Sequence, residues 1–129
     1  MIISGSLDEL FKFDGKFALL RTDEIQNECL NKGGYNSSIM YWRGNEFCRI
    51  YELLKIAHDE VGNYLFRFDY WLEMMVLNSE FIQDVWPGEV KDYLAECKES
   101  LPEGTKIVAF PRDPKPHEFP SEWIRDWWV

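Results

Sequence analysis

Apolar residues in this chain come in short runs, each closed within a few positions by glycine, proline or a polar cluster, and that punctuation limits what the chain can fold into. Residues 1–3, 16–21, 36–42 and 106–110 are compact apolar segments set off by Asp14-Gly15, Gly34, Gly44 and Pro102-Glu103-Gly104, the pattern of strands between turns. Between them the period changes. Phe47, Ile50, Tyr51, Leu54 and Ala57 recur at helical spacing with Glu46, Arg49, Glu52 and Lys55 on the other faces, and Trp71, Leu72, Met75 and Val76 form a second stripe over 69–77. Ser6 and Glu9 have capping-box spacing for a single turn over 6–11, residues 81–85 alternate as a weak edge strand, and 90–99 reads as helical in part. Residues 22–35 are polar, end in Gly33-Gly34 and read as a surface loop, all of it irregular or helical in part. Strands alternating with helices, without internal repeat or linker, predict an α/β layer structure in one domain over 1–129.

Charge and cysteine usage exclude several classes. With 23 acidic against 14 basic residues the net charge is −9, a field that repels phosphate backbones and anionic lipid, so no nucleic acid and no membrane surface is expected as partner. No run approaches the ~20 apolar residues of a spanning helix. The three cysteines, Cys29, Cys48 and Cys97, are odd in number and include no CxxC, which fits neither a disulfide framework nor a zinc site. The first residues lack the basic and apolar regions of a signal peptide, and the expected compartment is cytoplasmic.

Two segments depart from the overall charge. Residues 31–50 hold Lys32, Arg43 and Arg49 against Glu46, and residues 105–117 hold Lys106, Arg112 and Lys115 against Asp113; each nets +2, leaving −13 on the rest. Converging at strand ends they would make an anion site; scattered, they are a solvated face. The tail over 111–120 carries four prolines, and its Arg112, Lys115 and His117 suit a preorganised phosphate clamp, or else a stiff connection to a terminal helix capped by Ser121 and carrying Trp123, Ile124, Trp127 and Trp128. Asn36, Ser37 and Ser38 enter their strand after Gly33-Gly34, where amide and hydroxyls can read a sugar or simply start a strand. Asp69 is either a base or sugar-hydroxyl acceptor or a helix cap. The six tryptophans mostly fall on apolar stripes and are expected in the core, although an exposed one would suit sugar stacking. His58 and His117 have no further ligand nearby, so no metal site is expected from spacing. Phosphate loops, nucleophile elbows, HExxH and Asp-x-Asp are all absent.

The order of motifs is nevertheless distinctive: Ile3-Ser4-Gly5-Ser6-Leu7-Asp8-Glu9-Leu10-Phe11, Gly34-Tyr35-Asn36-Ser37-Ser38-Ile39-Met40-Tyr41-Trp42, Asp69, Trp86-Pro87-Gly88, then Ile107-Val108-Ala109-Phe110 with Pro114-Lys115-Pro116-His117. It resembles the C-terminal half of a GT-A type glycosyltransferase, of the bacterial and phage group related to the glycogenin-like family, over nearly the whole chain. The resemblance implies a mixed sheet with packed helices and a domain lacking the nucleotide-binding N-terminal half. It implies transfer of a sugar from a nucleotide-sugar donor to an acceptor hydroxyl when complete, with a divalent metal, manganese or magnesium, as the family's cofactor and a nucleotide-sugar and carbohydrate acceptor as partners. In it Asn36 and Ser37 match the sugar-contacting segment, Asp69 the acid near the donor sugar and Lys115 the diphosphate lysine. Pro111-Arg112 stands where relatives have His-Gly, and Tyr70 follows Asp69 where Gln is usual. This piece alone is expected to be inactive, its uncovered strand edges open to self-association. The alternative is a noncatalytic carbohydrate-binding or interaction module built on that fold, or a fragment without function of its own. With Asn36 at a cleft edge, Asn36→Ala leaves the melting temperature nearly unchanged in a thermal scan.

Overall fold

The computed structural model describes residues 1–22, 34–45, 47–65, 67–111, 113, 115–118 and 121–127. They form two compact units, Asp14–Phe81 and a second made of Met1–Phe13 with Ile82–Val129. Each unit is built on a three-stranded mixed sheet with helices, so the α/β class expected from the alternating periods takes the form of two small mixed sheets. No helix among the described residues is long and apolar enough to cross a membrane.

In the Asp14–Phe81 unit the central strand is β2 (Phe17–Thr22), with β3 (Gly34–Trp42) antiparallel on one side and β4 (Glu80–Phe81) parallel on the other. Phe17, Ala18, Leu19 and Leu20 are all buried, which explains why this strand reads as a continuous apolar run and not as an alternation. Helices α1 (Cys48–Ile56), α2 (His58–Tyr64) and α3 (Phe68–Met75) follow β3. The expected helices over 47–57 and 69–77 are α1 and α3; α2 was not anticipated, its apolar positions being too few for a stripe. Phe17, Leu19, Ile50, Trp71, Leu72 and Val76 form the core, with Phe17 and Phe47 rings 4.9 Å apart.

In the other unit β6 (Ile107–Ala109) is central, flanked by β1 (Ile2–Ile3) antiparallel and β5 (Val90–Asp92) parallel. All three β6 residues are buried. The turn before it is closed by Thr105 N–H donating to the Pro102 carbonyl, with Gly104 at φ +81°, a conformation a side chain would resist. Tyr93 stacks on Phe110 at 4.6 Å over a core of Ile2, Cys97, Val108 and Ile124.

Several local expectations change. Ser6 makes no capping box: its hydroxyl is bonded to Asp8, Glu9 pairs with Lys12, and the helical turn is a 3-10 turn at Leu10–Lys12. Residues 81–85 are not an edge strand. Only Glu80 and Phe81 find partners, on Ala18 and Leu19, after which the chain coils into α4 (Ile82–Val85) and buries Ile82. Residues 90–99 split into β5 and a π-helical turn at Tyr93–Cys97, whose first amides, Leu94 and Ala95, donate to the Asp92 carboxylate. The proline tail holds one 3-10 turn at Pro116–Glu118, where proline occupies the first position and loses no intrahelical bond. Ser121 precedes α5 (Glu122–Trp127), but its hydroxyl donates to the Lys98 carbonyl and caps nothing; its own carbonyl accepts from Ile124 and Arg125.

Burial, with the Glu96 charge beside it, pushes the Cys97 thiol up to about 11. An unfolded chain ionises this thiol near 9.0, while the folded chain keeps the proton to about 11. Stability is therefore intact below pH 9 and falls as pH rises from 9 to 11, where the unfolded state binds fewer protons. Urea midpoints measured from pH 8 to 11 should show this alkaline loss, and Cys97→Ala should flatten it.

Candidate functional site

Strand β3 lies at the edge of its sheet, and an edge strand presents backbone amides with no ladder partner. Here α3 supplies the partners. Ser37 N–H donates to Asp69 Oδ1 at 2.8 Å, and Tyr35 N–H donates to Glu73 Oε1 at 2.9 Å. The match is geometric: four residues along a helix advance about 6 Å, and two residues along a strand advance about 6.6 Å, so carboxylates at i and i+4 face alternate amides of an adjacent strand. Tyr35 Oη donates to the Val76 carbonyl at 2.9 Å and continues the same seam past the end of α3. Burial raises the Tyr35 phenol above its ordinary pKa, against the hydrogen bonds to Ser79 and with a push from the Glu73 charge.

From the Ser37 tie onward β3 bulges. Leu20 faces Asn36 and Leu19 faces Met40, so Ser37, Ser38 and Ile39 have no opposite number on β2. Asn36 is 3% exposed, and its side-chain oxygen accepts from Ser38 N–H at 2.9 Å. The carboxamide oxygen thus turns back on its own chain. Asp69 sits in the first turn of α3, as expected, and its Oδ2 accepts from Arg67 Nη2 at 3.2 Å. Both of its oxygens have protein partners, one of them a bulge amide. The structure therefore brings together Asn36, Ser37, Ser38 and Asp69.

The bulge decides what stands next. Directly opposite residues of paired strands share a face, so the shifted register sets Met40 and Trp42 across from Leu19 and Phe17. An unshifted ladder would place Ser37 and Ile39 there. Phe17, Met40 and Trp42, with Tyr51 and Glu52 of α1 and Phe68 of α3, line a groove of about 370 Å³. Its floor includes the buried Leu72, and its rim carries Trp42 at 52%, Tyr51 at 63% and Phe68 at 42% exposure. Three large aromatic side chains thus stay partly exposed around one concavity.

Of the remaining expected residues, Lys115 and His117 belong to the other unit and Arg112 lies outside the described residues. Lys115 closes the tail on itself: Nζ donates to the Phe110 carbonyl at 3.1 Å, and its backbone N–H donates to Glu118 Oε2 at 2.7 Å. The His117 imidazole is largely exposed, 3.9 Å from Glu118 Oε1. Among the described residues no three His, Cys, Asp or Glu side chains converge to hold a metal.

Comparison with family models, curated proteins and solved structures returns no match to this chain.

Sequence reasoning passed over the groove because its aromatic residues fall on helix and strand stripes that also serve the core. Glu73 was missed too, although its spacing of four from Asp69 sets the two carboxylates on one side of α3. Loss of the Ser37 acceptor in Asp69→Ala leaves a part-buried amide unsatisfied and should cost about 2 kcal/mol, Asp69→Asn about 1, and Arg67→Ala less, since its ion pair is partly solvated. Asn36→Ala should also destabilise, by about 1 kcal/mol, reversing the expectation for a cleft-edge residue. Urea titrations of the four variants give this ranking or refute it.

Proposed function

We propose that this chain is a noncatalytic binding module, the interaction-module alternative, whose site is the aromatic-rimmed groove between β3, α1 and α3. One observation carries the reading: an apolar groove of about 370 Å³ whose rim keeps Trp42, Tyr51 and Phe68 substantially exposed. Its size falls in the range of about 300–1,000 Å³ usual for small-ligand sites. The free energy available is that of covering apolar and aromatic surface, at roughly 25 cal/mol per Å² buried.

The transferase reading has no comparable support. It asks Asn36, Ser37 and Asp69 to face a donor sugar, whereas the Asn36 carboxamide oxygen accepts from Ser38 N–H and the two Asp69 oxygens accept from Ser37 N–H and Arg67. Its diphosphate lysine is engaged with the Phe110 carbonyl.

A neutral solvatochromic dye such as Nile red reports on the groove. Native protein should raise its fluorescence, and the double change Trp42→Ser with Tyr51→Ser should weaken dye binding about fivefold or more while moving the melting temperature little, because both side chains are more than half exposed. Equal dye binding by the two proteins rejects the groove as the site.

A further inference from the structure

We propose that the ligand taken by this groove is a small organic cation, an alkylated or quaternary ammonium group carried on an apolar body. The inference rests on the groove being the binding site, as argued above, and adds the chemistry of what it holds.

Five of the eleven lining residues are aromatic, Phe17, Trp42, Phe47, Tyr51 and Phe68, and Glu52 is the one charged residue among them. An aromatic face carries negative potential and attracts a cation placed over it, most strongly where water is excluded. Glu52 forms no ion pair among the described residues. Arg49 and Lys55 lie three positions to either side of it on α1, yet neither lines the groove. A carboxylate at the rim repels anionic ligands and gains nothing from neutral ones, so the lining favours positive charge. The unit as a whole carries eleven acidic against seven basic side chains, which attracts the same sign.

The type of cation follows from hydrogen-bonding capacity. A primary ammonium keeps three donors that need acceptors once dehydrated, and apart from Glu52 the walls are almost wholly hydrocarbon and ring surface. An alkylated ammonium spreads its charge over methyl or methylene groups and needs no acceptor. It can rest on aromatic faces while Glu52 balances the charge from the rim. The groove's volume matches a compact molecule of this kind.

The test compares benzyltrimethylammonium with its uncharged carbon isostere, neopentylbenzene, by NMR titration of the full chain, following the Trp42 indole and the Tyr51 ring. The cation should bind about tenfold more tightly than the isostere. Glu52→Gln, a change at an exposed position, should weaken the cation several-fold and leave the isostere unaltered. Equal or tighter binding of the isostere, or a cation preference untouched by Glu52→Gln, overturns the cation assignment and leaves the groove standing as an apolar site. If neither compound moves the Trp42 and Tyr51 signals, the groove reading fails and the cation assignment fails with it.

Discussion

The architecture of the Asp14–Phe81 unit depends on two carboxylates of one helix holding two amides of one strand. Asp69 and Glu73, a turn apart on α3, accept from Ser37 and Tyr35, two apart on β3. Without them the outer edge of β3 would present bare N–H groups, and a three-residue bulge in an edge strand would have nothing to fix its shape. Charge-assisted bonds to part-buried amides are among the stronger polar interactions available to a small unit, and breaking them is costly because the amide is left without water. The tie therefore sets both the placement of α3 and the register of β3.

From that register the groove follows. Because the bulge skips Ser37, Ser38 and Ile39, Met40 and Trp42 take the face shared with Leu19 and Phe17, and α1 and α3 supply the opposite walls through Tyr51 and Phe68. Asn36, Ser37 and Asp69 shape the strand, and the strand presents aromatic surface. The Asn36 carboxamide oxygen, the Ser37 amide and both Asp69 oxygens are thereby committed to contacts within the unit.

Much of the secondary structure was legible in the linear pattern. The apolar run at 16–21, the helical stripe from Phe47 to Ala57 and the strand at 106–110 correspond to β2, α1 and β6 within one or two residues. These segments carry enough apolar positions for one period to dominate. The pattern failed where local preference was weak or a distant partner decided. Residues 81–85 alternate, but only two of them reach β2 before Ile82 finds a buried place in a helix. Ser6 and Glu9 have capping-box spacing, yet each satisfies a nearer group, Asp8 and Lys12. The division into two compact units left no compositional mark, because its boundaries at Asp14 and Ile82 fall beside strands and not in a linker.

What the sequence by itself determined is segmentation and chemistry: where strands and helices lie, an acidic surface, three cysteines without a pairing pattern, and the absence of Asp-x-Asp. Those properties reside in single residues and their near neighbours. Only the tertiary structure decided what Asp69 does, which residues face the groove and where Lys115 points its charge. Each of those depends on partners brought together by folding: Asp69 meets an amide 32 residues away, and a strand slipped by one position turns every side chain to the other face. Spacing along the chain carries no record of such register, because the ladder and the helix packed beside it choose it jointly.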